Sequence, residues 1–221
     1  PKSYESKAAP AEITDTDRMF IDLREAAKKN DVFRTQQLSS NLVNYPFDDY
    51  VAYFRIKPQL FDGAGGARGD YSADAQVVAF LNQYQGTALA DRMRNDWLLV
   101  LGKRKDWSRF DVEYAKFVLD DDTQVKCYSL LSKLSQGENP TKLAMDSRAV
   151  LLDPGYFGQA CQELVPSLVA AGGMTPSEAK AIGRAASERG YDTMAKRLRG
   201  EDPIAEIVKA AKADPAKAYK D

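Results

Sequence analysis

The sequence contains no histidine and only two cysteines among its 221 residues, and both scarcities exclude kinds of site. Without imidazole, the chain cannot form a Ser-His-Asp or Cys-His catalytic system, a histidine-ligated zinc site or an imidazole proton relay. Two cysteines are too few for a Cys₄ zinc or iron–sulfur site. A general acid or base must therefore be Asp, Glu, Lys, Tyr or Cys. We expect no metal site and no cofactor.

The sequence also lacks an excess of basic charge and a long apolar run. Its 31 basic and 32 acidic side chains give a net charge of −1, which disfavours nucleic acid as a partner because nucleic-acid binders usually carry a basic surface. The longest strongly apolar run, 97–101, is far shorter than the roughly 20 residues of a membrane span. Residues 1–13 are predicted to form a polar leader, and 1–11 lack the apolar centre of a signal peptide. The chain is therefore either cytosolic or a mature or trimmed chain.

Helix signals dominate what is present. The sequence has 30 alanines and 19 leucines against 13 valines and 6 isoleucines, which favours helix over strand. Apolar residues recur at i, i+3, i+4 and i+7 in the segments 77–84, 127–134, 161–169, 191–198 and 204–211. Each set predicts one apolar stripe on a short helix. No convincing alternating strand pattern is found.

Residues that begin and end helices separate these stripes. Asp31, Asp106 and Thr175 are predicted N-caps, and Thr175 begins a capping-box sequence. Five glycines follow periodic segments and predict left-handed C-terminal caps: Gly102, Gly137, Gly172, Gly190 and Gly200. We therefore predict an all-α protein of about twelve short helices, arranged as a bundle or an α-solenoid. The spacing of helical hairpins, roughly 30 to 40 residues, suits a degenerate solenoid of stacked hairpins.

Two polar motifs resemble ligand sites but have simpler explanations. Residues 63–69, within the glycine-rich loop 61–71, resemble a phosphate-binding loop, yet they have neither the Gly-Lys-Ser/Thr ending nor a preceding strand. We expect an inter-hairpin loop, and chance is the better account of its Arg68-Gly69-Asp70 triplet. The run Asp120-Asp121-Asp122 lacks the spacing of a calcium-binding loop, so a capped helix start explains it better.

Aromatic residues and the two cysteines carry more information. Five aromatic residues lie within ten positions: Tyr45, Phe47, Tyr50, Tyr53 and Phe54. Such a cluster forms either a sugar-stacking surface or packing between helices, and composition favours packing. Cys127 and Cys161 each begin an apolar stripe. They are either two buried free thiols or a disulfide, and a disulfide implies an oxidising compartment.

The order of several short motifs resembles one known family. Residues 44–53 read Asn-Tyr-Pro-Phe-Asp-Asp-Tyr-Val-Ala-Tyr, and 87–94 read Thr-Ala-Leu-Ala-Asp-Arg-Met-Arg. The first resembles the Tyr-Pro-Leu-x-x-Tyr-Leu-x-Tyr segment of the large soluble lytic murein transglycosylases, and the second their Leu-Ala-Asp-x-Leu-Arg segment. The resemblance covers roughly residues 18 to 210. Its packing positions correspond to Tyr45, Pro46, Tyr50, Tyr53, Phe80, Leu81, Trp97 and Trp107.

The resemblance implies a location, a partner and a disulfide. Members of this family are periplasmic enzymes that cleave the β-1,4 bond between N-acetylmuramic acid and N-acetylglucosamine and release 1,6-anhydromuropeptides. Their N-terminal superhelix of helical hairpins is thought to hold or guide peptidoglycan glycan strands. Cys127 and Cys161 fall where the family carries paired cysteines, so the resemblance implies a bond between them. The resemblance is also compatible with binding to other proteins of the cell wall.

The chain departs from the family in its catalytic motif. The family's catalytic glutamate lies in a Glu-Ser motif followed by Gly-Leu-Met-Gln, whereas the only Glu-Ser here is Glu5-Ser6 in the polar leader. We therefore expect 14–221 to be the N-terminal part of a superhelical domain, in an inactive fragment of a longer protein. The alternatives are a stand-alone helical-repeat module that binds a protein, and a cytosolic helical enzyme with two free thiols.

Overall fold

A computed structural model describes residues 12–152 and 158–191 and confirms the all-α class. The described residues form ten helices, and their only β-structure is an isolated bridge between Phe61 and Ala67. About twelve helices were expected, and the predicted stripes over 192–198 and 204–211 lie outside the described residues. The helices are α1 Asp15–Lys28, α2 Val32–Ser40, α3 Asp48–Leu60, α4 Asp74–Gln83, α5 Ala88–Lys103, α6 Trp107–Tyr114, α7 Thr123–Ser135, α8 Pro140–Leu152, α9 Gln159–Ala170 and α10 Pro176–Glu188.

The predicted N-caps occupy the expected positions, and most of them make the expected bonds. The Asp31 side chain accepts the backbone N–H of Arg34 at the start of α2. Thr175 and Glu178 form both bonds of a capping box at the start of α10. Asp106 precedes α6 without a capping bond from its side chain. Side-chain acceptors thus satisfy backbone N–H groups at helix starts, as sequence predicts.

The chain divides into two compact units, Pro1–Trp97 and Leu98–Asp221, and the boundary falls within α5. In the first unit, α1, α2 and α3 pack against one another, and α4 packs on α3. A buried cluster fills the space among the first three helices: Leu23, Ala26, Leu38, Leu42 and Val51. On α4, the predicted stripe residues Val77, Phe80 and Leu81 are buried.

In the second unit, α7 lies at the centre of the packing between α6 and the later helices. It packs against α6, α8 and α9, and α10 contacts both α8 and α9. The predicted stripes of α7 and α9 face this core, with Leu130, Leu131, Leu164 and Leu168 buried. Because each helix is amphipathic, its apolar side is covered by the neighbouring helices of the unit.

Gly102 corrects one prediction from the sequence. It lies inside α5 rather than at a left-handed cap. A Cβ atom at this position would clash with the ring of the buried residue Tyr128, so glycine serves here for close packing. The left-handed conformation is confirmed at Gly137, Gly172 and Gly190, and Gly200 lies outside the described residues.

Gly102→Ala is expected to destabilise the second unit. Overpacking in a core costs about 1–3 kcal/mol, and alanine regains about 1 kcal/mol of helix propensity. Since the added methyl group would meet the base of the buried Tyr128 ring, we take the upper part of the overpacking range and expect a net loss of about 1–2 kcal/mol, measured by denaturant unfolding. Gly69→Ala is the matched control, because that position opens to solvent without a left-handed φ. Equal unfolding curves for Gly102→Ala and the wild type would contradict the packing role.

Candidate functional site

An open cavity of about 240 Å³ on the first unit is lined almost entirely by aromatic side chains. We call it the aromatic groove, and its lining residues are Phe20, Arg24, Phe47, Tyr50 and Phe54. Phe20 and Arg24 lie four residues apart on α1, and Tyr50 and Phe54 lie four residues apart on α3. Since residues at i and i+4 share one face of a helix, two packed helices bring these side chains together. Phe47 precedes α3 at the N-cap position.

The rings of the groove are tilted against one another rather than stacked. Centroid distances are 6.1 Å for Phe20–Phe47, 5.9 Å for Phe20–Phe54 and 6.0 Å for Tyr50–Phe54. Phe47 is 54% exposed and Tyr50 is 43% exposed. Four aromatic rings in contact, two of them open to solvent, make a concave surface that can accept a flat or ring-shaped ligand.

A hydrogen-bonded tyrosine fixes the floor of the groove. The Tyr45 ring stacks on Phe20 at 4.9 Å with an interplanar angle of 25°. Its hydroxyl donates to Asp17 Oδ1 at 2.7 Å, and Asp17 also closes the α1 capping box with Thr14. These bonds lower the pKa of Asp17, with the Thr14 hydroxyl as the largest cause, then the Thr14 backbone and Tyr45. The carboxylate therefore links the start of α1 to the ring beneath the groove.

Arg24 supplies the positive charge of the groove. Its Nε and Nη2 both lie 3.1 Å from one oxygen of Glu25, and Lys28 Nζ donates to the same oxygen at 2.8 Å. The hydrogen bond from Lys28 is the main reason that the pKa of Glu25 is lowered. These three side chains carry a net charge of +1, and the Arg24 side chain is 48% exposed. An anionic group in the groove would meet an accessible guanidinium.

Two buried carboxylates accept hydrogen bonds from aromatic side chains in the first unit. The Tyr53 hydroxyl donates to Asp96 Oδ2 at 2.7 Å, and Trp97 Nε1 donates to Asp74 Oδ1 at 3.0 Å. Burial, followed by the charge of Asp96, raises the pKa of Tyr53. Lys57 Nζ lies 4.0 Å from Asp96 and 5.6 Å from the centroid of the Tyr53 ring. Sequence reasoning missed both carboxylates, because their partners lie on other helices.

The residues predicted from the family resemblance occupy several environments. Tyr53, Phe80, Leu81 and Trp97 are buried, Tyr45 and Trp107 are half-buried, and Pro46 and Tyr50 are exposed. The aromatic cluster around Tyr50 therefore contributes both to the core and to an open surface. Glu5-Ser6 lies outside the described residues.

The two cysteines form a disulfide between α7 and α9 in the second unit. Cys127 and Cys161 are both fully buried, with an S–S distance of 2.07 Å. The bonded alternative is thus confirmed, and a buried structural disulfide fits a protein of an oxidising, extracytoplasmic compartment. Next to Cys127, burial and then the charge of Glu163 raise the pKa of Tyr128 to about 12. This phenol stays neutral at physiological pH.

The polar motifs serve the fold. The Asp62 carboxylate accepts the backbone N–H groups of Ala64 and Gly66, so the protein's own anion fills the position that a phosphate would take in the glycine-rich loop. Arg68 Nε donates to the Phe61 carbonyl in the same loop. Asp122 caps α7, as predicted. Within residues 12–152 and 158–191, no group of three or more His, Cys, Asp or Glu side chains is placed to hold a metal ion.

No protein-family model, curated protein or solved structure matches the chain. No helix in the described part of the chain is both long enough and apolar enough to cross a membrane.

Removal of the disulfide is expected to destabilise the second unit. The bond joins residues 34 positions apart, and closure of a loop of that length contributes about 4 kcal/mol in the chain-entropy model. The Cys127→Ala/Cys161→Ala double variant should therefore lose up to about 4 kcal/mol of unfolding free energy. The control is the oxidised wild type in mild reductant. Because both cysteines are fully buried in the folded state, it should keep its disulfide and its stability. Unchanged stability of the double variant would contradict this role.

Protonation of Asp17 is expected to loosen the support of the groove. The pKa of this group is lowered in the folded state, so its contribution to stability is present above the unfolded-state pKa of about 3.9. The contribution is lost as pH falls through the lower folded value. In Tyr45→Phe the NMR titration midpoint of the Asp17 carboxyl should rise, and in Thr14→Ala it should rise further. An unchanged midpoint in both variants would contradict the linkage.

Proposed function

We propose that this chain is part of the non-catalytic superhelical domain of a periplasmic lytic transglycosylase and that it holds peptidoglycan glycan strands. The observation that carries this proposal is the bond between Cys127 and Cys161, the two positions that the family resemblance pairs. The ordered aromatic motifs of residues 44–53 support it independently. The buried disulfide also fits the oxidising conditions of the periplasm.

The order of helix contacts supports the superhelical part of the proposal. In the first unit α1 contacts α2 and α3, and in the second α7 contacts α8 and α9, while α8 also contacts α10. Each of these helices thus packs against the next helix and the one after it. Stacked hairpins produce this pattern, because every repeat covers the apolar side of its neighbour.

In the proposed role, the chain positions the glycan and another part of the protein cleaves it. The aromatic groove offers ring faces to sugar C–H groups, and Arg24 offers N–H donors to an oxygen of the glycan. Holding a strand on a rigid helical surface reduces the freedom that is lost when the scissile bond meets its catalytic acid. The proposal places the catalytic glutamate outside this chain.

A second candidate function is a helical-repeat module that binds a protein. Exposed apolar side chains on α6 and just after it, including Val112, Val118 and Leu119, favour this alternative. They belong to the second unit and not to the aromatic groove. A protein partner would cover this apolar surface.

Cosedimentation with purified peptidoglycan sacculi tests the proposal. The oxidised chain should leave the supernatant with the sacculi, and soluble peptide-free glycan should compete for binding. Chromatography of the supernatant should detect no 1,6-anhydromuropeptides. A chain that stays in the supernatant would refute the glycan-holding role, and release of anhydro products would refute the non-catalytic assignment. Binding to sacculi that soluble glycan does not reduce would also refute the glycan-holding role.

A further inference from the structure

We propose that the aromatic groove is a subsite for a single carboxylated pyranose residue of a glycan. The rings of Phe47 and Tyr50 cover the apolar face of this sugar, and the guanidinium of Arg24 binds its carboxylate. The inference rests on the proposed function and deepens it, because it names the surface that holds the strand and the sugar that occupies it, which is N-acetylmuramic acid in peptide-free stretches where its lactyl carboxyl is not amide-linked.

The groove is built before any ligand arrives. Phe20 is held from below by Tyr45, which is itself bonded to Asp17. Phe54 is packed edge-on against the buried ring of Tyr53 at 5.7 Å. These contacts fix the inner rings, so little side-chain freedom remains to be lost on binding.

The size and lining of the groove favour a sugar over a peptide or a lipid. A groove that receives a helix or an acyl chain presents a long series of aliphatic or methionine side chains, whereas this one is lined by four aromatic rings and Arg24. Its volume of about 240 Å³ lies below the range of about 300–1,000 Å³ that is usual for drug-sized ligands. A single pyranose ring suits this space. The C–H groups on its apolar face carry partial positive charge and meet the negative face of an aromatic ring.

Charges around the groove exclude other flat or cationic ligands. Arg24 lies in the same cavity as the four rings and repels a quaternary ammonium group, the usual occupant of an aromatic cage. Asp48 and Asp49 lie in the first turn of α3, between Phe47 and Tyr50 in the sequence. Their negative charge disfavours a nucleic acid strand, whose bases also stack on aromatic rings but whose phosphates need basic surroundings.

Arg24 is able to bind a carboxylate group of the ligand. Among the described residues its guanidinium bonds only to Glu25, and both of those contacts reach a single oxygen that Lys28 shares. A guanidinium has five N–H donors, so donors remain for a second acceptor. A single carboxylate needs only this one guanidinium, whose fork matches its two oxygens, whereas a polyphosphate strand needs a basic surface that Asp48 and Asp49 oppose. A sugar that carries a carboxyl group is therefore preferred over a neutral one.

Calorimetric titration of the full oxidised chain tests this subsite. The probes are a peptide-free oligosaccharide of alternating N-acetylglucosamine and N-acetylmuramic acid, whose lactyl carboxylates are free, and the neutral oligomer of N-acetylglucosamine of equal length. The wild type should bind the acidic oligomer more tightly than the neutral one, and its affinity for the acidic oligomer should fall with added salt. Equal affinity for both oligomers would overturn the carboxylate assignment.

Two variants separate the roles of the rings and the charge. Tyr50→Ala should weaken binding of both oligomers roughly two- to tenfold, the range for loss of one aromatic contact. Arg24→Gln should weaken only the acidic oligomer and remove the preference. The matched controls are Phe33→Ala, at an aromatic residue that is 78% exposed on α2, and Arg18→Gln, at an arginine that is 69% exposed on α1. Both controls should bind like the wild type.

The outcomes distinguish the subsite from the wider proposal. If Tyr50→Ala binds both sacculi and oligomers as tightly as the wild type does, the subsite is refuted while the glycan-holding role stands. If the oligomers bind through the groove but the wild type does not bind sacculi, only the proposal that the chain holds peptidoglycan strands fails. Circular dichroism and thermal unfolding confirm that each variant is folded.

Phe47→Ala provides a second ring variant, for which we expect the same loss of affinity. Its side chain makes no capping bond, so its removal takes no capping hydrogen bond from the start of α3. Equal losses in Phe33→Ala would also overturn the subsite.

Discussion

Every described helix of this protein must bury one apolar stripe, and the rest of the structure depends on that constraint. The longest of the described helices, α5, has only 16 residues and the others have 8–14, and isolated helices of such lengths are scarcely stable in water. Packing against neighbouring helices therefore provides most of their stability. In the second unit the buried Cys127–Cys161 bond adds a covalent link between α7 and α9. Surfaces that are left over from this packing, such as the aromatic groove, are held in place by it.

On α3, one hydrogen bond helps to fix which aromatic ring faces the core. On α3, the bond from Tyr53 to Asp96 fixes one ring inside the first unit. Tyr50 lies three residues earlier and is exposed in the groove. One short helix thus supplies a buried anchor and an open ring. Because the anchor is hydrogen-bonded as well as packed, the open ring is held in a defined position relative to α1.

Local features of the sequence predicted the helices well, whereas contacts between helices were harder to predict. The stripes of α4, α7 and α9 and the caps at Asp31 and Thr175 depend on residues a few positions apart, so periodicity and capping chemistry reveal them. Gly102 looked like a helix end because nothing in the sequence shows that Tyr128 lies against it. The aromatic groove requires α1 to lie beside α3, and the sequence pattern alone does not specify that pairing. The disulfide was undecided from spacing and became an expectation only through the family resemblance.

We propose that this helical protein holds glycan and that its first unit presents an aromatic subsite for it. Chemical-shift mapping of the isotopically labelled, oxidised chain with the peptide-free acidic oligosaccharide tests this claim most directly. The account predicts that the largest changes occur at the ring resonances of Phe47 and Tyr50 and at the guanidinium of Arg24, with smaller changes at Phe20 and Phe54. Changes confined to the second unit, or no changes at saturating glycan, would contradict it.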